Sequence, residues 1–232
     1  MLSSSELMRI HLDALFSRDS RGRLLRVNVP DGADAPRLFL GRTDAAPLCV
    51  VRHDVPDELA AAFGALSERE PSGFDAGPAP ARLEPYLELL ATHQPVERVW
   101  AGPAYHFPEP PATPEGTVAV TAENVSLILP LLEAWRPDVV AGVPCAASLH
   151  GGRAVSICCS VRVSGEAHEA GVETHPEYRG RGHAARAAAA WAAMVAARRR
   201  IALYSTSWDN EASRRLAQKL GHRQFGSDFH AT

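Results

Sequence analysis

The stretch ETHPEYRGRGHAARAAAAW, residues 173–191, places two glycines between a strand-like run and an alanine-rich helix. A helix N-terminus leaves its first backbone N–H groups unpaired, and the aligned peptide dipoles add about half a positive charge there. Glycine lets the backbone approach an anion without interference from a Cβ atom. Residues 179–184 therefore favour a phosphate-binding loop, although the same glycines are also typical of a tight turn that binds nothing.

Two better-known phosphate motifs do not fit this loop. A P-loop would continue with Gly-Lys-Ser or Gly-Lys-Thr, which do not follow here. The glycine spacing differs from that of the dinucleotide-binding fingerprint, and the preceding strand lies in a hairpin-rich context. We therefore expect the main-chain amides to hold the anion, with Arg179 and Arg181 adding positive charge.

The composition is that of an ordinary globular protein and argues against several functional classes. Of the 232 residues, 46% are hydrophobic and 22% are charged, which suits one large domain or two small ones. The net charge of −3 argues against nucleic-acid binding, and no apolar run approaches the roughly 20 residues of a membrane-spanning helix. Acidic residues within the N-terminal segment argue against a signal peptide. We expect a cytoplasmic protein without nucleic-acid or membrane partners.

The cysteines show none of the spacings that metal sites use. No two of them form a Cys-x-x-Cys pair, so we expect neither a metal nor a disulfide. The favoured interpretation is small, buried, apolar side chains in a reducing compartment. The four are Cys49, Cys145, Cys158 and Cys159.

A proline-rich segment divides the sequence into two predicted lobes. Four prolines stand within Pro108–Gly116, which neither a helix nor a central strand tolerates. The lobe of residues 1–110 predicts three strands followed by two helices, an atypical α+β arrangement. We expect it to shape the site of the acceptor substrate. The lobe of residues 117–232 predicts the order β-α-β-β-β-α-β-α-β.

The second lobe determines the fold class. Residues 122–135 predict its first helix, and Gly151-Gly152 predicts a hairpin between the two strands that follow. Strands that alternate with helices in this way favour an α/β fold, a mixed sheet flanked by helices. Little sequence remains after the last predicted strand. We therefore expect the sheet to be truncated there, or completed by the N-terminal lobe or a partner subunit.

Two motifs in the second lobe resemble those of the GNAT (Gcn5-related) N-acetyltransferases. Arg179…Gly182…Ala184 has the pattern R-x-x-G-x-A of the family's acetyl-coenzyme A pyrophosphate loop. WDNEASRRLAQKLGH, residues 208–222, is similar to the family's next strand–helix signature. The amino-acid sequences of both motifs further resemble those of the branch that includes the zwittermicin A resistance type of acetyltransferase. The resemblance is good over residues 117–232 and weaker before them.

The resemblance implies how acetyl-coenzyme A binds. In the family two neighbouring parallel strands splay apart, and the pantetheine arm fills the wedge. Backbone groups of Val172 and Thr174 would pair with that arm, and Asn210 would cap the next helix and reach the pantetheine, or only cap it. The diphosphate would rest on the loop, whose binding residues would be Arg179, Gly180, Arg181, Gly182, His183 and Ala184. The ring of His183 would help to solvate the phosphates.

The implied reaction is direct attack of a primary amine on the thioester. It needs a base for the amine, a donor for the oxyanion and a proton for the departing thiolate. Glu173 is the candidate base, on the opposite face of its strand from Val172 and Thr174. The alternative is a glutamate that faces the surface or forms a structural ion pair.

One departure from the family leaves the proton donor open. Many members carry a tyrosine in the helix that ends with KLG, and Ala217 stands at that position here. Ser213 is the nearest hydroxyl on the same helix and is our candidate. The absence of this tyrosine also supports an alternative function, a noncatalytic acyl-coenzyme A-binding or regulatory module. The sequence identifies neither the amine, which we expect to be a small molecule, nor the oligomeric state, for which a homodimer is one option.

Overall fold

The computed structural model describes residues 2–73, 78–109 and 111–232. The chain divides into two compact units. The first comprises Met1–Tyr105, Ser205–Glu211 and Gln224–Thr232, and the second comprises His106–Tyr204 and Ala212–Arg223. The first break, between Tyr105 and His106, lies just before the proline-rich segment, of which Pro110 lies outside the described residues. The first unit also takes two segments from the C-terminal part of the sequence.

Helices and strands alternate along most of the chain. The helices are α1 (Ser4–Leu15), α2 (Asp57–Ser67), α3 (Leu83–His93), α4 (Arg136–Val140), α5 (His183–Ala197) and α6 (Glu211–Lys219). The strands are β1 (Phe16–Arg18), β2 (Leu24–Val27), β3 (Leu38–Arg42), β4 (Leu48–Val51), β5 (Val99–His106), β6 (Thr117–Ala119), β7 (Cys145–His150), β8 (Arg153–Val163), β9 (Ala167–Thr174), β10 (Ile201–Ser205) and β11 (Arg223–Ala231).

The first unit takes up the C-terminal strand of the chain. Its strands follow the order β4-β3-β11-β5, and β11 pairs antiparallel with β3 from Ser227↔Arg42 to Ala231↔Leu38. The three strands and two helices predicted for the N-terminal lobe are present as β2, β3, β4, α2 and α3. Within the first unit, the C-terminal strand of the chain thus pairs with an N-terminal strand.

Helices α2 and α3 cover one core of the first unit. Phe63 of α2 stacks on Tyr86 of α3 with ring centroids 6.3 Å apart, and both rings are fully buried. Arg37 closes the C-terminal end of α3. Its guanidinium donates hydrogen bonds of 3.0, 2.8 and 2.7 Å to the backbone carbonyl oxygens of Leu90, Gln94 and Pro95, at and just beyond the end of the helix.

The second unit contains a mixed sheet, as predicted for the C-terminal lobe. Its strands follow the order β10-β9-β8-β7-β6, with β10 parallel to β9 and the remaining pairs antiparallel. Gly151 and Gly152 have φ angles of +56° and +77°, which a two-residue hairpin turn between β7 and β8 requires. The predicted hairpin is therefore confirmed.

The two faces of this sheet are covered differently. Helix α5 packs on one face with its alanine run, and Trp191 donates its indole N–H to the Ser160 hydroxyl over 3.0 Å. The other face belongs to an apolar core that includes Leu132, Val139 and Ile157. Strand alternation separates the two sets of side chains.

The predicted helix over residues 122–135 is wrong. The segment forms two 3₁₀ helices, Ala122–Ile128 and Glu133–Trp135, and α4 begins only at Arg136. Pro130 explains the interruption, because proline lacks the backbone N–H and its ring clashes with the preceding turn of a helix. The segment consequently reaches the sheet through separate short turns, the second of which ends in Trp135.

The expectation of four free cysteines also needs correction. Cys145 and Cys159 lie opposite each other on β7 and β8 and form a disulfide. Of the two free cysteines, Cys158 is buried as expected and Cys49 is half-buried. Burial raises the pKa of Cys158 well above its ordinary value and that of Cys49 to about 11.

Candidate active site

An open strand edge in the second unit defines the candidate site. The register of β10 with β9 runs through three residue pairs, from Ile201↔Ala167 to Leu203↔Glu169. Strand β9 continues for five residues beyond Glu169, and within the described chain this register does not extend along them. On its other side β9 stays paired with β8 as far as Ser156↔Thr174.

The backbone groups of Val172 and Thr174 face this open edge. The N–H of His175 donates to the carbonyl of Val155 over 3.0 Å, so the odd-numbered residues at this end of β9 turn their backbone groups toward β8. Because these groups alternate along a strand, those of the even-numbered residues turn the other way. The two residues predicted to pair with an extended ligand are therefore placed where such pairing is geometrically available.

The glycine loop follows directly from this edge. A short 3₁₀ turn, Pro176–Tyr178, leads to Gly180 and Gly182, whose φ angles of +76° and +80° lie in the left-handed region that favours glycine. Helix α5 begins at His183, and its first backbone bond to the loop is from Arg186 N–H to the Gly182 carbonyl. The N–H groups of residues 183–185 therefore have no acceptor within the helix.

Three cations surround the loop, and the sequence predicted only two of them. Arg179 is exposed and donates from Nε to the Thr174 carbonyl over 3.2 Å, and the Arg181 guanidinium lies 5.6 Å from the Tyr178 ring centroid. The third is Lys219, the only lysine in the chain. A methyl group at Gly182 would lie 3.6 Å from its Nζ. No sequence signal links Lys219 to the loop, because the two are 37 positions apart in the numbering.

The ring of His183 is buried against neighbouring side chains, and its expected contact with phosphate stays a prediction. The side chain is buried, with Nδ1 lying 2.9 Å from the Ser148 hydroxyl and 2.9 Å from Nη2 of Arg186. Burial, and next the charge of Arg186, lower the pKa of this imidazole, so Nδ1 accepts from the guanidinium. His183 therefore offers its backbone N–H to the loop, and its ring anchors the first turn of α5 to β7.

Glu173 lies on the opposite face of β9 and contacts a tryptophan. The Trp135 indole N–H donates to Oε2 of Glu173 over 2.5 Å. The same indole lies against the strand, because a methyl group at Gly171 would lie 2.8 Å from Cη2 of Trp135. Among the described residues, Glu173 has no ion-pair partner within 4.0 Å, and the residue is half-buried.

Ser213 forms part of a hydroxyl pair. Its Oγ lies 2.6 Å from the phenolic oxygen of Tyr204, a buried residue near the end of β10. The ring of His222 packs beside Tyr204, and burial lowers the pKa of His222 to about 4, so it is neutral near pH 7. No signal in the sequence indicated Tyr204, because the family pattern places the tyrosine on the following helix. The matching position there is Ala217, which is fully buried.

Asn210 immediately precedes the first residue of α6, Glu211, as its predicted capping position requires. Its backbone N–H donates to the carbonyl of Ser207 over 3.2 Å. Its contact with pantetheine stays a prediction.

Comparison with known proteins gives a family match over one segment. Residues 144–227, from just before β7 into β11, match the family model of the GNAT acetyltransferases. No curated protein matches the chain. In the part of the chain that the structure describes, no helix combines the length and apolar character needed to cross a membrane.

Solved structures give the fold. A GCN5-related N-acetyltransferase-like protein from Streptococcus suis is 17% identical, with 99% of this chain and 100% of that chain covered and a TM-score of 0.50. A GNAT acetyltransferase from Colwellia psychrerythraea is 11% identical, with coverage of 88% and 83% and a TM-score of 0.50. A GNAT-family structure from Novosphingobium aromaticivorans is 26% identical, covers 59% of this chain and 65% of that chain, and has a TM-score of 0.49. Residues 144–227 thus match the GNAT acetyltransferase family, and the chain has the fold of solved GNAT proteins.

Proposed function

We propose that the chain is an acetyl-coenzyme A-dependent N-acetyltransferase that acts on a small primary amine. One observation carries the proposal: the open edge of β9 leads directly into a left-handed glycine loop at a helix N-terminus, with three cations nearby. An extended chain of amides that ends in a diphosphate is complementary to this arrangement, and coenzyme A has that form. The family match over residues 144–227 supports the same reaction class.

The coenzyme would be held by backbone groups along its length. Val172 and Thr174 would pair with the pantetheine amides, and the amides of residues 179–184 would hold the diphosphate. Arg179, Arg181 and Lys219 would add charge that bulk solvent partly screens. Asn210 would assist at the pantetheine. When bound, the coenzyme supplies an acetyl group activated as a thioester.

Glu173 would accept the proton of the attacking amine. Its Oε2 is held by Trp135, and Oε1 has no hydrogen-bond partner among the described residues. That free oxygen is available to the amine, and within the described chain no cation lies close enough to form an ion pair with the carboxylate.

A hydroxyl pair would return a proton to the leaving thiolate. Ser213 and Tyr204 share a short hydrogen bond, so a proton given up by one is replaced by the other. A thiol with a pKa of about 8.5 departs with little assistance, so this role is less demanding than that of the base.

A glycine variant tests the coenzyme site. Gly182→Ala places a Cβ at a φ of +80°, and Gly152→Ala does so at +77° in the β7–β8 turn, where the added Cβ meets no other atom. Both variants should lose similar stability, about 1 kcal/mol. Only Gly182→Ala should weaken coenzyme A binding in calorimetry, by about tenfold or more. Equal affinities in the two variants would contradict the proposed loop.

A second function is supported by Ala217. This fully buried alanine provides no hydroxyl where many family members carry the proton donor, which favours a module that binds acyl-coenzyme A without turning it over. Thiol release measured with acetyl-coenzyme A and a panel of amino sugars, polyamines and amino acids separates the two functions. Binding without thiol release for any amine would select the binding module.

The acceptor and the partners also belong to this proposal. A small amine, rather than nucleic acid or a membrane, suits the net charge of −3. The sequences of Ala170–Ala184 and Ser205–Gly221 favour the zwittermicin A resistance branch within the family. A homodimer is compatible with the sequence and would appear in the mass measured by light scattering.

A further inference from the structure

Trp135 is held rigidly at the face of β9 that carries Glu173. Trp135 ends the 3₁₀ turn Glu133–Trp135, and its backbone N–H donates to the carbonyl of Leu132 over 3.1 Å. Leu132 on one side and Val139 on the other are both 1% exposed and belong to the apolar core. The backbone that carries the indole is therefore fixed from both sides.

Strand β9 is shaped to receive the indole ring. Gly171 lies between the positions of Val161 and Trp135, and an added methyl group would collide with Cγ1 of Val161 and lie 2.8 Å from the indole Cη2. Only a residue without a Cβ allows the ring to lie this close to the strand. Two residues further along, the indole N–H meets the carboxylate of Glu173.

The contact with the indole N–H suits a carboxylate that acts as a base better than one that is held in a structural ion pair. The indole nitrogen is a donor only and carries no charge, so it fixes one carboxylate oxygen without supplying a counter-charge. An arginine or lysine in the same place would orient the group too, but it would also stabilise the ionised form and weaken the base.

We propose that Trp135 is the positioning residue for Glu173, holding Oε2 so that Oε1 faces the amine from which it takes a proton. The inference rests on the proposed function and extends it to a residue that does not itself contact the reacting atoms. Trp135 fixes the rotamer of Glu173, and Gly171 leaves the space against β9 that the Trp135 ring occupies. Loss of the indole N–H should therefore lower kcat and leave coenzyme binding intact.

The contact itself can be observed without activity. The chain has four tryptophans, so the indole region of a ¹H–¹⁵N spectrum contains four signals, and the one missing in Trp135→Phe identifies Trp135. Glu173→Ala should move that signal strongly. The Trp191 indole signal should stay in place, since its acceptor is the Ser160 hydroxyl on the α5 face. A Trp135 signal that does not move would overturn the proposal.

Kinetics test the positioning role. Trp135→Phe keeps a ring on Gly171 and should lower kcat about tenfold, with the KM for acetyl-coenzyme A within about twofold of wild type. Gly171→Ala, which displaces the indole, should act in the same way. In Glu173→Gln the further change Trp135→Phe should have almost no effect, because the group that it positions is gone. Trp191→Phe should instead add its effect independently of Glu173→Gln.

The outcomes separate this proposal from the proposed function. An active wild type in which Trp135→Phe and Glu173→Gln act additively would overturn the positioning role and leave the transferase assignment standing. A wild type that is inactive with every amine, although Glu173→Ala still moves the Trp135 signal, would overturn the transferase assignment and the catalytic meaning of the contact together.

Discussion

At the scale of single residues, Lys219 gives the most direct test of charge at the loop. Its ammonium is exposed and close to Gly182, so Lys219→Met should raise the Kd of coenzyme A about two- to fivefold, in the range of exposed charges at helix ends. The difference should shrink as salt is added. Calorimetry at two ionic strengths measures both effects.

The ligand supplies the control for this variant. Pantetheine lacks the phosphates, so its affinity should not change in Lys219→Met. An equal loss of affinity for pantetheine and coenzyme A would show that Lys219 acts through the fold rather than through charge. The sequence predicted the glycine loop and the KLG motif separately. It gave no reason to bring them together, because the position of the last turn of α6 depends on tertiary packing.

At the scale of elements, β11 and α1 meet around a buried carboxylate. Asp228 is fully buried, its Oδ2 lies 2.6 Å from Nε2 of His230, and Nε2 of His11 lies 3.5 Å away. Burial alone would raise the pKa of Asp228, but the nearby charges and hydrogen bonds of His11 and His230 hold it well below its usual range. The stability from this group should therefore be fully present above about pH 4 and be lost as the pH falls further toward the folded-state pKa.

Asp228→Asn tests this cluster. Removal of the buried charge should cost about 3–5 kcal/mol near pH 7, because the asparagine amide keeps an acceptor oxygen but places no negative charge opposite His11 and His230. The variant should also show a flatter decline of unfolding free energy between about pH 4 and pH 2 than wild type. Urea unfolding at several pH values measures both, and parallel acid declines in the two proteins would contradict the assignment.

The elements also show where sequence reasoning stops. Periodicity and turn residues predicted α2, α3 and the β7–β8 hairpin, because each depends on local chemistry. The helix predicted over residues 122–135 failed at Pro130, since apolar spacing was given more weight than the missing N–H. The disulfide between Cys145 and Cys159 could not be predicted either, as it follows from the register of two strands.

At the scale of the whole molecule, the sequence predicted two lobes but not how the chain is shared between them. The proline-rich segment indicated the first boundary because its composition changes there. The return of Gln224–Thr232 to the first unit depends on pairing between β11 and β3, which are separated by about 180 positions. No local feature of residues 224–232 predicts the strand with which they pair.

The stability of the first unit should depend on β11, the strand that it takes from the C-terminal end of the sequence. Phe229 of β11 is 1% exposed and packs in the core that includes Leu38, Leu40 and Phe63. Phe229→Ala should cost about 3–5 kcal/mol, because it removes a large buried side chain and leaves a cavity. Hydrogen exchange should then accelerate first in residues 38–42, the strand paired with β11. Val163→Ala, at the 37% exposed end of β8, is the matched control and should change stability by less than about 0.5 kcal/mol. If exchange in residues 38–42 is unchanged while the variant is destabilised, then β11 does not support the N-terminal strands in solution as the pairing requires.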